Sequence, residues 1–497
     1  MMKLYNLKQY IIYLLGVIVM ISCQSKKEDK TPYNILFIAV DDLRTELNCY
    51  GASHIKSPNI DRLANNGIRF TNAHVQQAIC MASRASVMSG VRPEKYGIYT
   101  GEPVTDVLPE ILTMNQFFKQ NGYNVASFGK IYHFGEDTKN QFGSDFIKPV
   151  STWEGMGYVT KAAIKQQSLN TITGRGPAYE SAKVHDTLYQ DGLNTLNAIR
   201  KLEGLKKDGK PFFMAVGLTK PHLPFNAPQK YWDMYPEASI SLTELKERPK
   251  NTSKHTLRTG GELGNYYGMP KLYEDIQDST AITLRRGYYA CVSYADAQVG
   301  KLLDKLDELG LKENTVVVLW GDHGYKLGDY GSWCKWSNMD IDTKIPLIFN
   351  VPNGQRGKVF KHPVEALDLY PTLADLCNLE QPAQLEGKSL VSILNNPKQK
   401  LKTKLYAYSI WPHNRWNYDK TVMGYSVTDH RFNYVEWVQL KTGEVLEREL
   451  YDHKNDPKET INIIKEHQYN DVINELSKKL MLRKETTDHN HGFKKLR

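Results

Sequence analysis

Apolar runs that alternate with helical patterns constrain the fold of this chain more than any other feature of its sequence. The run at residues 33–40 contains no charged side chain, as expected of a strand buried on both faces of a sheet. Similar runs occur at 124–128, 211–217, 315–320 and 344–351. Strands that alternate with helices predict an α/β fold, with a large and mainly parallel sheet flanked by helices. The helical patterns lie at 58–70 with Ser57 as cap, 112–120, 185–207, 281–309 and 367–379.

Four of the predicted strands lead into residues that can carry out chemistry. In open α/β sheets, ligands gather beyond the carboxyl ends of the strands. The predicted sheet therefore brings these polar groups to one rim, although they are far apart in the sequence. They are Asp41 with Asp42, Lys130 with His133, Lys220 with His222, and Asp322 with His323.

A short helix is predicted to begin at Cys80 and to end at Gly90. The first turn of a helix presents unpaired backbone N–H groups and the positive end of the dipole, which favour an anion. Ser83 and Arg84 follow three and four residues later, so they share the face of Cys80. This arrangement suits an oxyanion ester, but a buried structural cysteine fits the same short motif equally well.

The segment Cys80-Met81-Ala82-Ser83-Arg84, followed by Met88-Ser89-Gly90, resembles the motif of type I sulfatases. In that family the cysteine is oxidised after translation to formylglycine (3-oxoalanine). The segments at 41–44, 49–51, 57–61 and 76–80 are most similar to the iduronate-2-sulfatase branch, and the likeness extends from about residue 34 to residue 463. Ala82 departs from the commoner motif, which has proline, so the maturation enzyme that reads the site is left open. The resemblance implies an alkaline-phosphatase-like fold.

A metal site is predicted among the acidic residues of the rim. Asp41, Asp42 and Asp322 are hard oxygen donors that suit Ca²⁺ or Mg²⁺. An acidic pair after a strand also fits a simple turn or helix cap. The resemblance implies one Ca²⁺ per chain, held by these three carboxylates with His323 and the formylglycine oxygen at position 80.

The resemblance also assigns the catalytic groups. It implies that one hydroxyl of hydrated formylglycine attacks sulfur and that the alcohol leaves. A base then removes the proton of the second hydroxyl, which expels sulfate and restores the aldehyde. Lys130 and His133 would lie near the formylglycine, with His133 as the base, and Arg84 would hold its hydroxyl or a sulfate oxygen. His222 and Lys335 would contact the ester, and either could protonate the leaving group. Taken singly, such side chains are more often exposed surface residues.

The sequence is compatible with three functions. The first is a sulfatase acting on a sulfated glycan. The second is a phosphomonoester or phosphonate hydrolase of the same superfamily, because a fold does not determine a function. Cys80 with Arg84 opposes that alternative. The third is a non-catalytic lipoprotein that binds sulfated glycans, which an unmodified thiol at position 80 would favour.

The substrate is expected to be an exo-cleaved fragment of a sulfated, uronate-containing polysaccharide. The branch resemblance implies the uronate, and Lys220, Lys326 or Lys335 could pair with its carboxylate. The loop at 324–331, expected to face the sugar, departs from the branch at Lys326 and at Tyr330. These departures argue against iduronate 2-sulfate itself, and a plant or algal sulfated glycan fits as well.

The N-terminus has the pattern of a signal peptide. Lys3 and Lys8 precede an apolar run at 10–21, which Ser22 and Cys23 follow. Residues 20–23 resemble a lipobox, so we expect a signal peptide at 1–22 and an acylated Cys23. An ordinary cleaved signal is the alternative. The expected product is an exported bacterial lipoprotein, periplasmic or anchored to the outer membrane, that contacts the membrane only through its lipid.

The remaining sequence indicates two domains. A linker rich in proline and lysine near 395–404 separates a catalytic domain at 31–395 from a smaller α+β subdomain at 404–497. Alternation at 425–437 predicts an antiparallel sheet there, and a helix is expected at 470–484. The net charge of +9 is not concentrated in any long Lys/Arg run, so no nucleic-acid partner is expected. The sequence has no Cys-x-x-Cys pair, which excludes a zinc ribbon and a thioredoxin-like redox protein.

Overall fold

The computed structural model describes residues 32–97, 99, 104–133, 146–147, 157–413 and 420–485. The predicted signal peptide, the acylation site Cys23 and the end of the chain from residue 486 lie outside the described residues. Among the helices of the described residues, none combines the length and apolarity that crossing a membrane requires.

The predicted runs at 33–40, 124–128, 211–217, 315–320 and 344–351 all form strands, and further strands lie between and after them. In chain order they are β1 (Asn34–Val40), β2 (Ile68–His74), β3 (Asn124–Gly129), β4 (Phe146–Ile147), β5 (Tyr179–Ala182), β6 (Phe212–Leu218), β7 (Phe225–Pro228), β8 (Thr315–Gly321), β9 (Lys326–Leu327), β10 (Trp333–Cys334), β11 (Lys344–Asn350), β12 (Lys358–Phe360), β13 (Val364–Glu365), β14 (Ala407–His413), β15 (Val422–Thr428), β16 (Phe432–Gln439) and β17 (Val445–Asp452).

The helices lie between these strands and after the last of them. They are α1 (Pro58–Asn65), α2 (Cys80–Ser89), α3 (Pro93–Tyr96), α4 (Val104–Val107), α5 (Met114–Gln120), α6 (Lys161–Leu169), α7 (Gln190–Asp208), α8 (Gln229–Trp232), α9 (Asp278–Glu308), α10 (Asp340–Thr343), α11 (Leu369–Leu376), α12 (Val391–Asn395) and α13 (Asn470–Glu485).

The main sheet has the order β12-β2-β11-β8-β1-β6-β3-β4, with β13 beside β2. The central neighbours of β1, which are β6 and β8, run parallel to it, whereas β11 is antiparallel to β8 and to β2. Alternate residues of β1 belong to two hydrophobic clusters, one containing residues of α7 and α9 and the other residues of α2 and α11. Burial on both faces explains why β1 is apolar throughout. The predicted α/β fold with a mainly parallel sheet is confirmed.

The prediction of one helix over residues 58–70 is wrong at its end. Helix α1 stops at Asn65, and Ile68 already belongs to β2, which pairs with β11. A Cβ atom at Gly67 would lie 2.2 Å from the carbonyl oxygen of Phe349, so a glycine permits the close approach of the two strands. Long-range pairing therefore overrides the local helical pattern.

Ser57 is the N-cap residue of α1, as predicted, but its side chain does not cap the helix. The Ser57 hydroxyl donates to the Asp61 carboxylate at 3.2 Å and makes no cap bond with the helix backbone. The Asp296 carboxylate of α9 accepts the N–H groups of Asn59 and Ile60 instead, at 3.0 and 2.7 Å. A residue distant in sequence thus satisfies the exposed N–H groups of the first turn.

The C-terminal part forms a second sheet, as predicted. Strands β14 to β17 are antiparallel in sequential order, and Leu476 and Leu480 of α13 pack into its core. The Ile410 N–H donates to the carbonyl of Gln76 at 2.8 Å, just before α2. This contact places the second sheet beside the start of the helix that carries Cys80.

Candidate active site

The ends of β1 and β8 form the centre of the site. Val40 is the register partner of Gly321, so the residues that follow the two strands meet. The Asp42 N–H donates to Asp322 Oδ1 at 2.9 Å, and His323 Nε2 lies 3.3 Å from Asp42 Oδ1 and 3.7 Å from Asp322 Oδ1. Asp41, Asp42, Asp322 and His323 are all fully buried. The predicted rim therefore exists, and it is enclosed.

Helix α2 brings Cys80 to this rim. It begins at Cys80 and runs to Ser89, and Gly90, with a φ of 73°, caps its end as the sequence predicts. The Cys80 Sγ lies 3.1 Å from His323 Nε2 and 3.9 Å from Asp42 Oδ1. Burial raises the pKa of the Cys80 thiol to about 11. The unmodified side chain is therefore protonated near neutral pH and is a weak nucleophile.

Arg84 connects three strand ends. Its Nε donates to Asp322 Oδ2 at 2.8 Å and its Nη2 to Asp41 Oδ1 at 3.2 Å, while Nη1 donates to the carbonyls of Lys130 and Ile131. The guanidinium thus holds both carboxylates in place by charge-assisted hydrogen bonds. A direct contact between Arg84 and the formylglycine hydroxyl or a sulfate oxygen stays a prediction.

Lys130 and His133 enter the site after β3. The Lys130 Nζ donates to Asp41 Oδ2 at 2.5 Å. Burial favours the neutral acid, yet Lys130 and Arg84 hold the pKa of Asp41 well below its usual range, so Asp41 is ionised. Burial and the positive charge of Lys130 lower the pKa of His133 well below its usual value. His133 is therefore neutral near neutral pH.

His222 and Lys335 meet on the other side of Asp42. The Lys335 Nζ lies 3.0 Å from Asp42 Oδ1 and 2.9 Å from Glu262 Oε2. The His222 Nε2 lies 3.3 Å from Glu262 Oε1 and 3.9 Å from Asp42 Oδ2. The two groups predicted to contact the ester are therefore neighbours, joined through the same carboxylate.

Glu262 is a site residue that the sequence analysis missed. It lies in a polar, irregular segment without a recognisable motif, and it is 7% exposed. Burial disfavours its charge, but Lys335 and His222 hold the pKa of Glu262 below its usual range. Arg175 Nη1 lies 3.8 Å from Glu262 Oε1. No sequence pattern pointed to Glu262 or Arg175, because their roles depend on contacts with distant residues.

The expectation that the loop at 324–331 faces the sugar is wrong. Lys326 is 1% exposed and pairs with Asp342, while Tyr330 donates its hydroxyl to the carbonyl of Lys458 at 2.5 Å. Lys220 is turned away as well, since its Nζ donates to the carbonyls of His222 and Pro224. Buried charges require such partners. Of the three lysines proposed to bind a sugar carboxylate, only Lys335 reaches the site.

The donor set fits a divalent cation. One ligand atom from each of Asp41, Cys80, Asp322 and His323 lies within 4.8 Å of the others, and the same holds for Asp41, Asp42, Cys80 and His222. Carboxylate oxygens prefer Ca²⁺ or Mg²⁺. Burial raises the pKa of Asp42 to about 7 even though Lys335 lies beside it. A cation bound here would stabilise the ionised carboxylate.

The mainly parallel sheet, with the smaller antiparallel sheet after it, has the alkaline-phosphatase-like fold. A phosphonate monoester hydrolase from Silicibacter pomeroyi superposes on 92% of this chain and 96% of its own, with a TM-score of 0.72. Its sequence identity to this chain is 20%, so the likeness establishes the fold alone.

The sequence comparisons identify the family. Residues 33–379 match the Sulfatase family, and residues 328–486 match the N-sulphoglucosamine sulphohydrolase C-terminal family. The chain is 32% identical to iduronate 2-sulfatase of Homo sapiens, over 88% of this chain and 92% of that protein. It is 34% identical to a sulfatase of Formosa agariphila, over 90% and 87%. The chain therefore belongs to the type I sulfatase family of sulfuric ester hydrolases, and its similarity to iduronate 2-sulfatases agrees with the motifs.

Proposed function

We propose that this sulfatase hydrolyses sulfate esters of a uronate-containing glycan, using formylglycine made from Cys80 and one bound Ca²⁺. The main support is the position of Cys80, whose Sγ lies within 3.9 Å of both Asp42 Oδ1 and His323 Nε2. A raised thiol pKa makes unmodified cysteine unsuited to this reaction. Conversion to formylglycine by a maturation enzyme would supply a hydroxyl nucleophile.

Asp41, Asp42, Asp322, His323 and residue 80 would hold the calcium ion. The cation supplies positive charge that attracts sulfate oxygens and offsets negative charge in the transition state. Arg84 and Lys130 keep Asp41 ionised and fixed, since both donate to its carboxylate. The protein thus keeps the donor set in place before substrate arrives.

The proton transfers are assigned to three side chains. Neutral His133 accepts the proton of the second hydroxyl of hydrated formylglycine, and the loss of that proton releases sulfate. Lys335 or His222 protonates the departing alcohol, and both are held beside Asp42 by Glu262. A general acid must lie within hydrogen-bond reach of the leaving oxygen, and this pair lies on one side of the site.

The substrate proposal is an exo-cleaved fragment of a sulfated, uronate-containing polysaccharide. It is supported by the similarity to a human enzyme named for iduronate 2-sulfate. Lys335 and Arg175 supply positive charge near the site, but Glu262 already contacts both. The test is a panel of defined oligosaccharides, with sulfate release measured with and without a neighbouring carboxylate. Preference for neutral sulfated galactans would contradict the uronate and leave the sulfatase in place.

The decisive experiment for the mechanism concerns residue 80. Mass spectrometry of the peptide that spans Cys80, from protein made in a maturation-competent host, should show the aldehyde. Cys80→Ala should abolish sulfate release, because no hydroxyl nucleophile can form. A fully occupied thiol in an active enzyme, or unchanged turnover of Cys80→Ala, would overturn the proposal. A binding-only lipoprotein predicts a thiol together with glycan binding and no turnover.

A further inference from the structure

A strained tryptophan lies beside the proposed site. Trp336 directly follows Lys335 and has a φ of 90°, while Cys334 on the other side of Lys335 has a φ of 67°. Positive φ is uncommon for residues other than glycine and is a marked outlier for a bulky side chain. Such strain persists only where the surrounding structure stabilises it, and it concentrates at functional sites.

The Trp336 indole borders two parts of the site. A Cβ atom at Gly261, the residue before Glu262, would lie 2.3 Å from Trp336 Cζ3, so the ring rests directly on this glycine. The ring also packs against the hydrophobic cluster that contains Ile79, the residue before Cys80. The strained backbone therefore directs the ring to the edge between Glu262 and Cys80.

An exposed arginine rests on this ring. The Arg258 guanidinium carbon lies 5.0 Å from the Trp336 ring centroid, within cation–π distance. Arg258 makes no ion pair with any carboxylate in the part of the chain that the structure describes, in contrast to Arg84. Its fork of N–H donors therefore has no acidic partner among the described residues, and such a fork suits a carboxylate or a sulfate.

The position is within reach of a bound glycan. Arg258 precedes Glu262 by four residues, so their Cα atoms are at most about 14 Å apart. Arg258 also lies over Trp336, the residue after Lys335, and the Lys335 Nζ is 3.0 Å from Asp42 Oδ1. A substrate larger than a single small ester would therefore reach Arg258 with its sulfate at residue 80.

We propose that Arg258, seated on Trp336, is a subsite for a second anionic group of the glycan, either a carboxylate or a second sulfate. The inference rests on the proposed function, because the glycan must present its reacting sulfate to residue 80. Arg258 then determines the selectivity among sulfated sugars, whereas the catalytic groups contact the sulfate that is released.

The test compares three substrates in the mature enzyme. They are 4-nitrophenyl sulfate, a monosulfated disaccharide with a uronate carboxylate, and a disulfated disaccharide without one. Arg258→Gln should raise the KM of a doubly anionic sugar at least tenfold, and lower its kcat/KM relative to the aryl sulfate at least fivefold. Arg258→Lys should lose less, because it keeps the charge without the fork. A loss confined to one disaccharide identifies its anionic group as the ligand, and a loss for both means that either group binds.

Arg356→Gln is the matched control. Arg356 is exposed and follows β11. Because β11 runs antiparallel to β8, it ends at the opposite end of the strands from Asp322, which follows β8. It should leave all three substrates unaffected. Equal losses for Arg356→Gln, or an unchanged substrate ratio for Arg258→Gln, would overturn the subsite.

A binding measurement separates this inference from the proposed function. If wild type releases sulfate from no substrate, the proposed function fails. Calorimetry with Cys80→Ala still tests the subsite, since adding Arg258→Gln should weaken the Kd of the uronate disaccharide about tenfold. An unchanged Kd for every doubly anionic sugar would refute the subsite even if catalysis is established.

Discussion

At the scale of single residues, the site is an array of buried charges that compensate one another. Asp41 pairs with Lys130 and Arg84, and Asp42 pairs with Lys335. A buried charge without a partner is strongly destabilising, so each substitution affects the partner as well as the lost group. Substitutions that preserve shape are therefore the informative ones.

Asp322→Asn should remove the bound calcium and the activity. The amide keeps the size of the side chain but loses the charge that pairs with Arg84 and that would ligate the cation. Metal analysis after gel filtration should find one calcium per wild-type chain and none in the variant. Asp186→Asn, a buried carboxylate paired with Lys230 and Lys301, is the control and should keep its calcium. Normal metal content and turnover in Asp322→Asn would show that the assignment is wrong.

Glu262→Gln should lower kcat about tenfold or more. The Glu262 carboxylate holds Lys335 and His222 beside Asp42, and a hydrogen bond to a charged group contributes about 1.5–3 kcal/mol. Steady-state kinetics with 4-nitrophenyl sulfate measures the effect, and Glu262→Asp should recover part of it by restoring the charge. An unchanged kcat in the glutamine variant would mean that Glu262 does not position these groups.

At the scale of elements, α2 depends on the glycine that ends it. Gly90 has a φ of 73°, and a Cβ atom there would lie 2.2 Å from Leu385 Cδ2. The left-handed conformation costs about 1–2 kcal/mol for a residue with a Cβ, and overpacking adds about 1–3 kcal/mol. The end of α2 is thus constrained both locally and by packing.

Gly90→Ala should lower the free energy of unfolding more than Gly122→Ala does. Gly122 has a φ of 86°, but a Cβ atom there meets nothing within 4 Å, so only the conformational cost applies. Denaturant unfolding should show a loss of about 1–2 kcal/mol for Gly122→Ala and a larger loss for Gly90→Ala. Equal losses would mean that Leu385 moves aside without cost.

At the scale of the whole molecule, we propose that the enzyme is exported and attached to a membrane through lipid on Cys23. The proposal rests on the charged, apolar and polar order of residues 1–30. Cys23→Ser should move the enzyme from the membrane fraction to the soluble fraction of the envelope, with unchanged kcat, because Cys23 is not among the residues of the proposed active site. Wild type found entirely in the soluble fraction would favour an ordinary cleaved signal.

Local sequence determined the parts of the molecule whose physics is local. Continuous apolar runs predicted the buried strands β1, β6 and β8, because a strand covered on both faces excludes polar groups. Small residues followed by Gly90 predicted the bounds of α2. Parallel order then placed Asp41, Asp42 and Asp322 on one rim, because the carboxyl ends of parallel strands share an edge.

Only the tertiary structure decided the features that depend on partners far apart in the chain. Lys326 pairs with Asp342 inside the protein instead of facing a sugar, Glu262 is the carboxylate that joins Lys335 to His222, and Arg258 lies over the Trp336 ring. Burial of a charge is favourable only when the fold supplies its counter-charge, and the identity of that partner is set by long-range packing. Local sequence therefore determined which polar residues follow the strand ends, and the tertiary structure determined which charged side chains are paired inside the protein.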